Sequence, residues 1–264
     1  MSDLFNAKRF ALLLRKTIAE KPMQTIGVAA LLLVLSVILY AIVKKMAGFD
    51  AAQKITFFFG LAIGTPFLAS FVFGYFNRNA IGCSYLTLPV SYVEKWLSGI
   101  LIAGIFYPVI FLLVYHLTDV VFVSVYHSSL DPNSVFYKQQ YERVYTFDLN
   151  NIVAWRIYGF FLFYTGAMFV GGLYFNKTAF IKTAIVVTVL FLLIMGMNWV
   201  MATLLFQHVQ DAAPYNRVSL SIGKETGTLA LPTRWQHIFY YGLAFVLPIG
   251  LWFLPLIRFR EKEF

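Results

Sequence analysis

The sequence predicts an all-α integral membrane protein with six transmembrane helices, an N-terminal amphipathic interfacial helix and room for a small extracellular β-hairpin. Two observations carry that prediction. Of 264 residues, 60% are hydrophobic and only 12% are charged, more apolar surface than a soluble domain of this length can bury. Several apolar runs also reach the roughly 20 residues that a helix needs to cross a bilayer. The 19% aromatic share fits lipid-facing helices with Tyr and Trp at headgroup level.

Residues 1–24 form the entry segment. Over 4–19 a helix lying in the interface is expected, with Ala7, Phe10, Ala11, Leu14 and Ile18 on the apolar face and Lys8, Arg9, Arg15 and Lys16 opposite. Phe5, Leu12 and Leu13 interrupt the polar face, and a plain cytoplasmic helix continuing into the first span is the alternative. Pro22 marks the bend into the bilayer. No cleavable signal peptide pattern precedes the first span.

The six spans fall at about 25–43, 55–76, 96–117, 157–175, 183–206 and 238–257, the third extendable through the apolar stretch 120–126. An even number puts both termini on one side. Lys8, Arg9, Arg15, Lys16 and Lys21 ahead of the first span, with the basic tail after the last, make that side the cytoplasmic one.

The connector 77–96 is the patterned one among the inner loops. Ser91-Tyr92-Val93-Glu94 is an S-x-x-E capping box, so a helix should start at Ser91, and Pro89 keeps Leu88 extended before it. Outside, 44–54 is brief, whereas 127–155 and 207–235 are long enough to carry structure. In the latter, 217–222 and 228–231 alternate apolar and polar residues around a Gly-containing turn, which a β-hairpin or an irregular loop could each accommodate.

Chemistry is sparse. The single cysteine, Cys83, excludes an intramolecular disulfide framework and a cysteine-rich metal site. The net charge of +9 is spread over loops rather than gathered on one face, which speaks for membrane orientation and against nucleic acid. Ile222-Gly223-Lys224-Glu225-Thr226 resembles the end of a phosphate-binding loop but has Glu after the Lys and Val218 where the first Gly is required. No H-E-x-x-H or G-x-S-x-G occurs, and His116, His127, His208 and His237 are scattered near outer membrane ends, so neither a catalytic residue nor a metal ligand is assigned.

Charges inside the spans, which would mark an ion or proton path, are nearly missing. Asp119 is expected just past the third span at the outer interface and Arg156 at the outer start of the fourth. Asn198 is the strongly polar residue deep in a run and suits an interhelical hydrogen bond. Gly60 and Gly64 make a G-x-x-x-G pair, repeated as Ala167 and Gly171, where helices can approach closely. Pro66, Pro108, Pro248 and Pro255 should kink or open their helices.

A basic entry helix, six spans, a charged tail and the connector Tyr85-Leu-Thr-Leu-Pro-Val-Ser-Tyr-Val-Glu-Lys-Trp together resemble the permease subunit of a bacterial type-2 ATP-binding-cassette (ABC) exporter. The resemblance covers the whole chain as topology and about a dozen residues as motif. It implies a single permease domain, 1–264, in the cytoplasmic (inner) membrane, exporting a hydrophobic or amphipathic substrate. It also implies a separate cytosolic ATPase that holds the ATP and Mg, and a second permease subunit, identical or different. Tyr85, Leu88, Pro89, Ser91 and Glu94 would couple to that ATPase, and Gly60, Gly64, Pro66 and Asn198 would lie at the pathway or its packing. A membrane scaffold that moves nothing is the reading from another class, and a secondary transporter is a third.

Overall fold

A computed structural model of the chain describes residues 5–20, 22–72, 87–175, 178–213, 217–222, 225–230 and 232–262. A first helix, α1 (Ala7–Glu20), precedes five helices long and apolar enough to cross a membrane. These are α2 (Thr25–Ala47), α3 (Phe49–Val72), α4 (Tyr92–Ser128), α6 (Ile152–Tyr174) and α7 (Ala179–Leu205), so the protein is a multi-pass, all-α membrane protein. A short exposed helix, α5 (Tyr137–Arg143), stands between α4 and α6. The sixth expected span falls in a helical run built of α8 (Thr233–Tyr241), a π-helical turn Gly242–Val246 and α9 (Leu247–Lys262).

The junction of α2 and α3 is a single residue. Gly48 takes a φ of 86°, which only glycine adopts without strain, and its N–H donates to the Lys44 carbonyl, so the chain reverses at once. Lys44 reaches back over the Phe49 ring, 4.5 Å from its centre.

Three prolines leave the same trace. π-helical turns at Phe59–Gly64, Ile100–Phe106 and Gly242–Val246 each end two residues before Pro66, Pro108 and Pro248. Proline has no N–H for the carbonyl four residues back and its ring crowds that carbonyl, so the turn ahead of it widens. Pro255 stands inside α9.

Tyr40, Phe57, Phe111, Phe169 and Phe259, fully buried, place the core among α2, α3, α4, α6 and α9. Glycines set the spacing. A Cβ on Gly60 would overlap the Phe111 ring, one on Gly64 would lie 2.6 Å from the Tyr107 hydroxyl, and one on Gly171 would overlap Thr183 of α7. Both small-residue motifs thus serve packing within the chain. Trp252 of α9 fits between Gly104 and Gly166, either of whose Cβ would come within 2.7 Å of its indole. By contrast α7 presents Leu190, Leu192, Leu193, Met197 and Met201 on its surface, and a shallow apolar groove of about 360 Å³ runs along it.

After α7 the chain forms a three-stranded antiparallel sheet, β1 (Val209–Ala213), β2 (Arg217–Ile222) and β3 (Glu225–Ala230), in that order. Val218 faces Leu229 and Leu220 faces Gly227 across β2 and β3. The first strand, whose Val-Gln-Asp-Ala-Ala does not alternate, carries no signal in the sequence.

On α1 the buried positions are Leu13 and Thr17, each 3% exposed. Leu13, an interruption of the polar face in the sequence, is therefore the anchor of this helix, because its contact is with the protein core rather than with one apolar stripe of its own.

Candidate functional site

The site grows from the start of α4. Ser91, extended at φ −68° and ψ 155°, caps the helix: its hydroxyl accepts from the Glu94 N–H at 3.3 Å, and Glu94 Oε2 accepts from the Ser91 N–H at 2.9 Å. That leaves Oε1, which accepts the Asn6 N–H at 2.6 Å and Arg9 Nη2 at 3.1 Å. Asn6 is in turn the cap of α1, its Oδ1 accepting from the N–H groups of Lys8 and Arg9. Two helix N-termini and one guanidinium thus converge on one carboxylate that has no exposed surface. Positive helix ends and a cation suit an anion there, and these charge-assisted hydrogen bonds are the stronger kind.

Leu88 and Pro89 make the turn ahead of the cap, closed by the Val90 N–H on the Leu88 carbonyl at 2.7 Å, with Leu88 and Val90 half-buried against the core. Tyr85 lies outside the described residues. One turn along α4, the Trp96 indole donates to the Trp252 carbonyl at 2.8 Å and stacks on Phe253, while Trp252 donates to the Leu162 carbonyl of α6 at 2.8 Å. The connector helix is therefore tied to α1 at Glu94 and to α9 at Trp96. Neither tie shows in the sequence, because Asn6, Arg9 and Trp252 are far from the connector in the chain and look like ordinary surface and span residues.

Of the four residues assigned to a pathway or its packing, three share one stretch of α3. Gly60, Gly64 and Pro66 are buried in α3. Asn198 donates to the Ala212 carbonyl at 2.9 Å, holding β1 to α7 rather than one helix to another.

A second polar node stands where α4 continues beyond the expected third span. Asp119 is 1% exposed, covered by α2 and α3, whose Tyr40 and Gln53 side chains reach it. Its Oδ1 accepts from the Tyr40 hydroxyl at 2.6 Å and from Gln53 Nε2 at 2.9 Å, and its Oδ2 from the Phe147 N–H at 2.7 Å. Gln53 also donates to the Tyr145 carbonyl at 2.8 Å, and the Tyr115 hydroxyl donates to the Gln53 carbonyl at 3.0 Å.

The chain matches no protein-family model, no curated protein and no solved structure. Among the described residues no three His, Cys, Asp or Glu side chains stand close enough to hold a metal ion.

Proposed function

We propose that this chain is the membrane-spanning subunit of an ABC-type exporter, moving a hydrophobic or amphipathic substrate outward with ATP hydrolysed by a separate cytosolic subunit. The observation that carries this reading is the Glu94 node. A short turn and a capped helix start form a stiff unit, and Glu94 and Trp96 tie that unit to helices on either side. Force applied by a soluble partner at Leu88–Ser91 would reach α1, α4 and α9 together.

In this arrangement the run from Thr233 to Lys262 is the sixth span, both termini face the cytoplasm, and the sheet lies outside. Helix α1 rests at the inner surface, with Leu12 and Arg15 exposed to lipid and headgroups and Leu13 against the bundle. Two permease subunits pair to form the working unit, and the chain binds no nucleotide itself. The substrate meets apolar, sparsely charged walls.

Two measurements test the reading. Cys83, the single native thiol, should resist an impermeant maleimide added to intact cells and react after permeabilisation. Affinity purification of the tagged chain from its own membrane should bring down a cassette ATPase. Labelling of Cys83 from outside, or purification with no ATPase, overturns the proposal and leaves a membrane scaffold.

A further inference from the structure

Residues 144–149 form a strap with neither helix nor strand between α5 and α6 and are tied down along their length. The Val144 carbonyl lies 2.8 Å from His127 Nε2, the Tyr145 carbonyl accepts from Gln53, and the Phe147 N–H donates to Asp119. The Phe147 ring is 7% exposed and packs 5.1 Å from Phe57 and edge-on to Tyr115 at 5.9 Å. Leu149 is half-buried, and its carbonyl accepts from the Tyr158 hydroxyl at 3.4 Å. Partners come from α2 (Tyr40, through Asp119), α3, α4 and α6, so one short segment joins the same ends of four helices.

Its holding point is unusual for a structural brace. No ion pair with Asp119 occurs among the described residues, so the buried carboxylate is satisfied by neutral donors alone. Burying a carboxylate is costly without donors, and of its three only the Phe147 N–H belongs to the strap: lifting the strap breaks that bond and exposes the carboxylate to water, which can replace the lost N–H. An apolar brace would have no such second state.

We propose that the strap 144–149 is the outer gate of the transporter and that Asp119 is its latch, holding it seated across the outer ends of α2, α3, α4 and α6 until the transport cycle lifts it. This rests on the exporter reading above. When the strap lifts, Phe147 leaves the Phe57 and Tyr115 rings, opening an apolar mouth for a substrate of matching character.

The test uses the full chain in lipid nanodiscs, carrying Cys83→Ser and Leu149→Cys, with a water-soluble maleimide as probe. In the seated strap the thiol at 149 should react slowly. Asp119→Asn keeps the shape but turns an N–H toward one set of donors whichever way the amide sits, and labelling should rise about ten- to hundredfold, the effect of losing a hydrogen bond to a charged acceptor. Gln53→Leu, which removes the bond to the Tyr145 carbonyl together with one donor to Asp119, gives a second release should the first variant not fold. Tyr40→Phe leaves the Phe147 bond in place and should label near the parent rate. No rise in the release variants, or an equal rise in Tyr40→Phe, overturns the latch. With the ATPase bound, ATP and Mg should speed labelling of the parent, and unchanged labelling during hydrolysis overturns the gate. A chain that binds no ATPase overturns the exporter reading and the gate with it, while the comparison of variants still decides the latch.

Discussion

Arg9 Nη2 and Glu94 Oε1 meet at 3.1 Å across 85 positions of sequence, the carboxylate fully buried and the Arg9 side chain 35% exposed. The asymmetry has a measurable result. Glu94→Gln removes the charge that two helix ends and the guanidinium share, and should cost about 1–3 kcal/mol of stability. Arg9→Ala leaves the Asn6 and Ser91 N–H groups in place and should cost under about 1 kcal/mol. Thermal unfolding of the two variants checks the order, and equal losses would mean that the pair rather than the two caps holds the node.

The same node predicts a functional effect. In a complex with its ATPase, Glu94→Ala should lower substrate-stimulated ATP hydrolysis and vesicle transport together, since the helix start that receives the push would fray. Hydrolysis and transport both at the parent rate would remove the connector from the transmission path.

Gly60 and Gly64 should respond differently to alanine. The Gly60 Cβ would strike the Phe111 ring, which is fully buried and held, whereas the Gly64 Cβ would meet the far end of the Tyr107 side chain at 2.6 Å. Gly60→Ala should therefore destabilise by about 1–3 kcal/mol and Gly64→Ala by clearly less. Adding Phe111→Leu to Gly60→Ala should recover part of the loss, and a melting temperature that falls further in the double variant would show the contact is not the cause.

Trp252→Phe should cost about 1–3 kcal/mol by leaving a void between Gly104 and Gly166 and removing the bond to the Leu162 carbonyl. Trp96→Phe keeps the stacking on Phe253 and loses one hydrogen bond, for about 1 kcal/mol. Denaturation of both proteins in the same detergent provides the comparison, and a larger loss in Trp96→Phe would reverse the assignment of the wedge.

Asn198→Leu should free the sheet without weakening the bundle. Amide exchange across 209–230 should quicken while that of α3 and α4 stays as in the parent, because the bond to Ala212 holds β1 against α7. Unchanged exchange in the strands would mean the sheet is held by its other contacts.

What the sequence made legible was local. Apolar runs marked the membrane-spanning helices, S-x-x-E marked the cap at Ser91, and Pro66, Pro108 and Pro248 marked turns that the structure widens. What it hid was who meets whom at a distance. The burial of Asp119 left no mark in the sequence, because it depends on Tyr40 and Gln53, 79 and 66 positions away. Asn198 pointed to a neighbouring helix, since strand β1 has no alternating pattern to betray it. Glu94 was found as half of a cap, and its second oxygen, which binds Asn6 and Arg9, had no signature within the connector.

Helices α3 and α4 interlock at several levels, two of them Gly60 against Phe111 and Gln53 against Asp119. One residue added to either helix between those levels would rotate everything beyond it by about 100° and shift it by about 1.5 Å, so that one lock could close only by opening the other. Evolution can exchange side chains along this pair but is barred from changing the count between these two fastenings, whereas the bare face of α7 sets no such ruler.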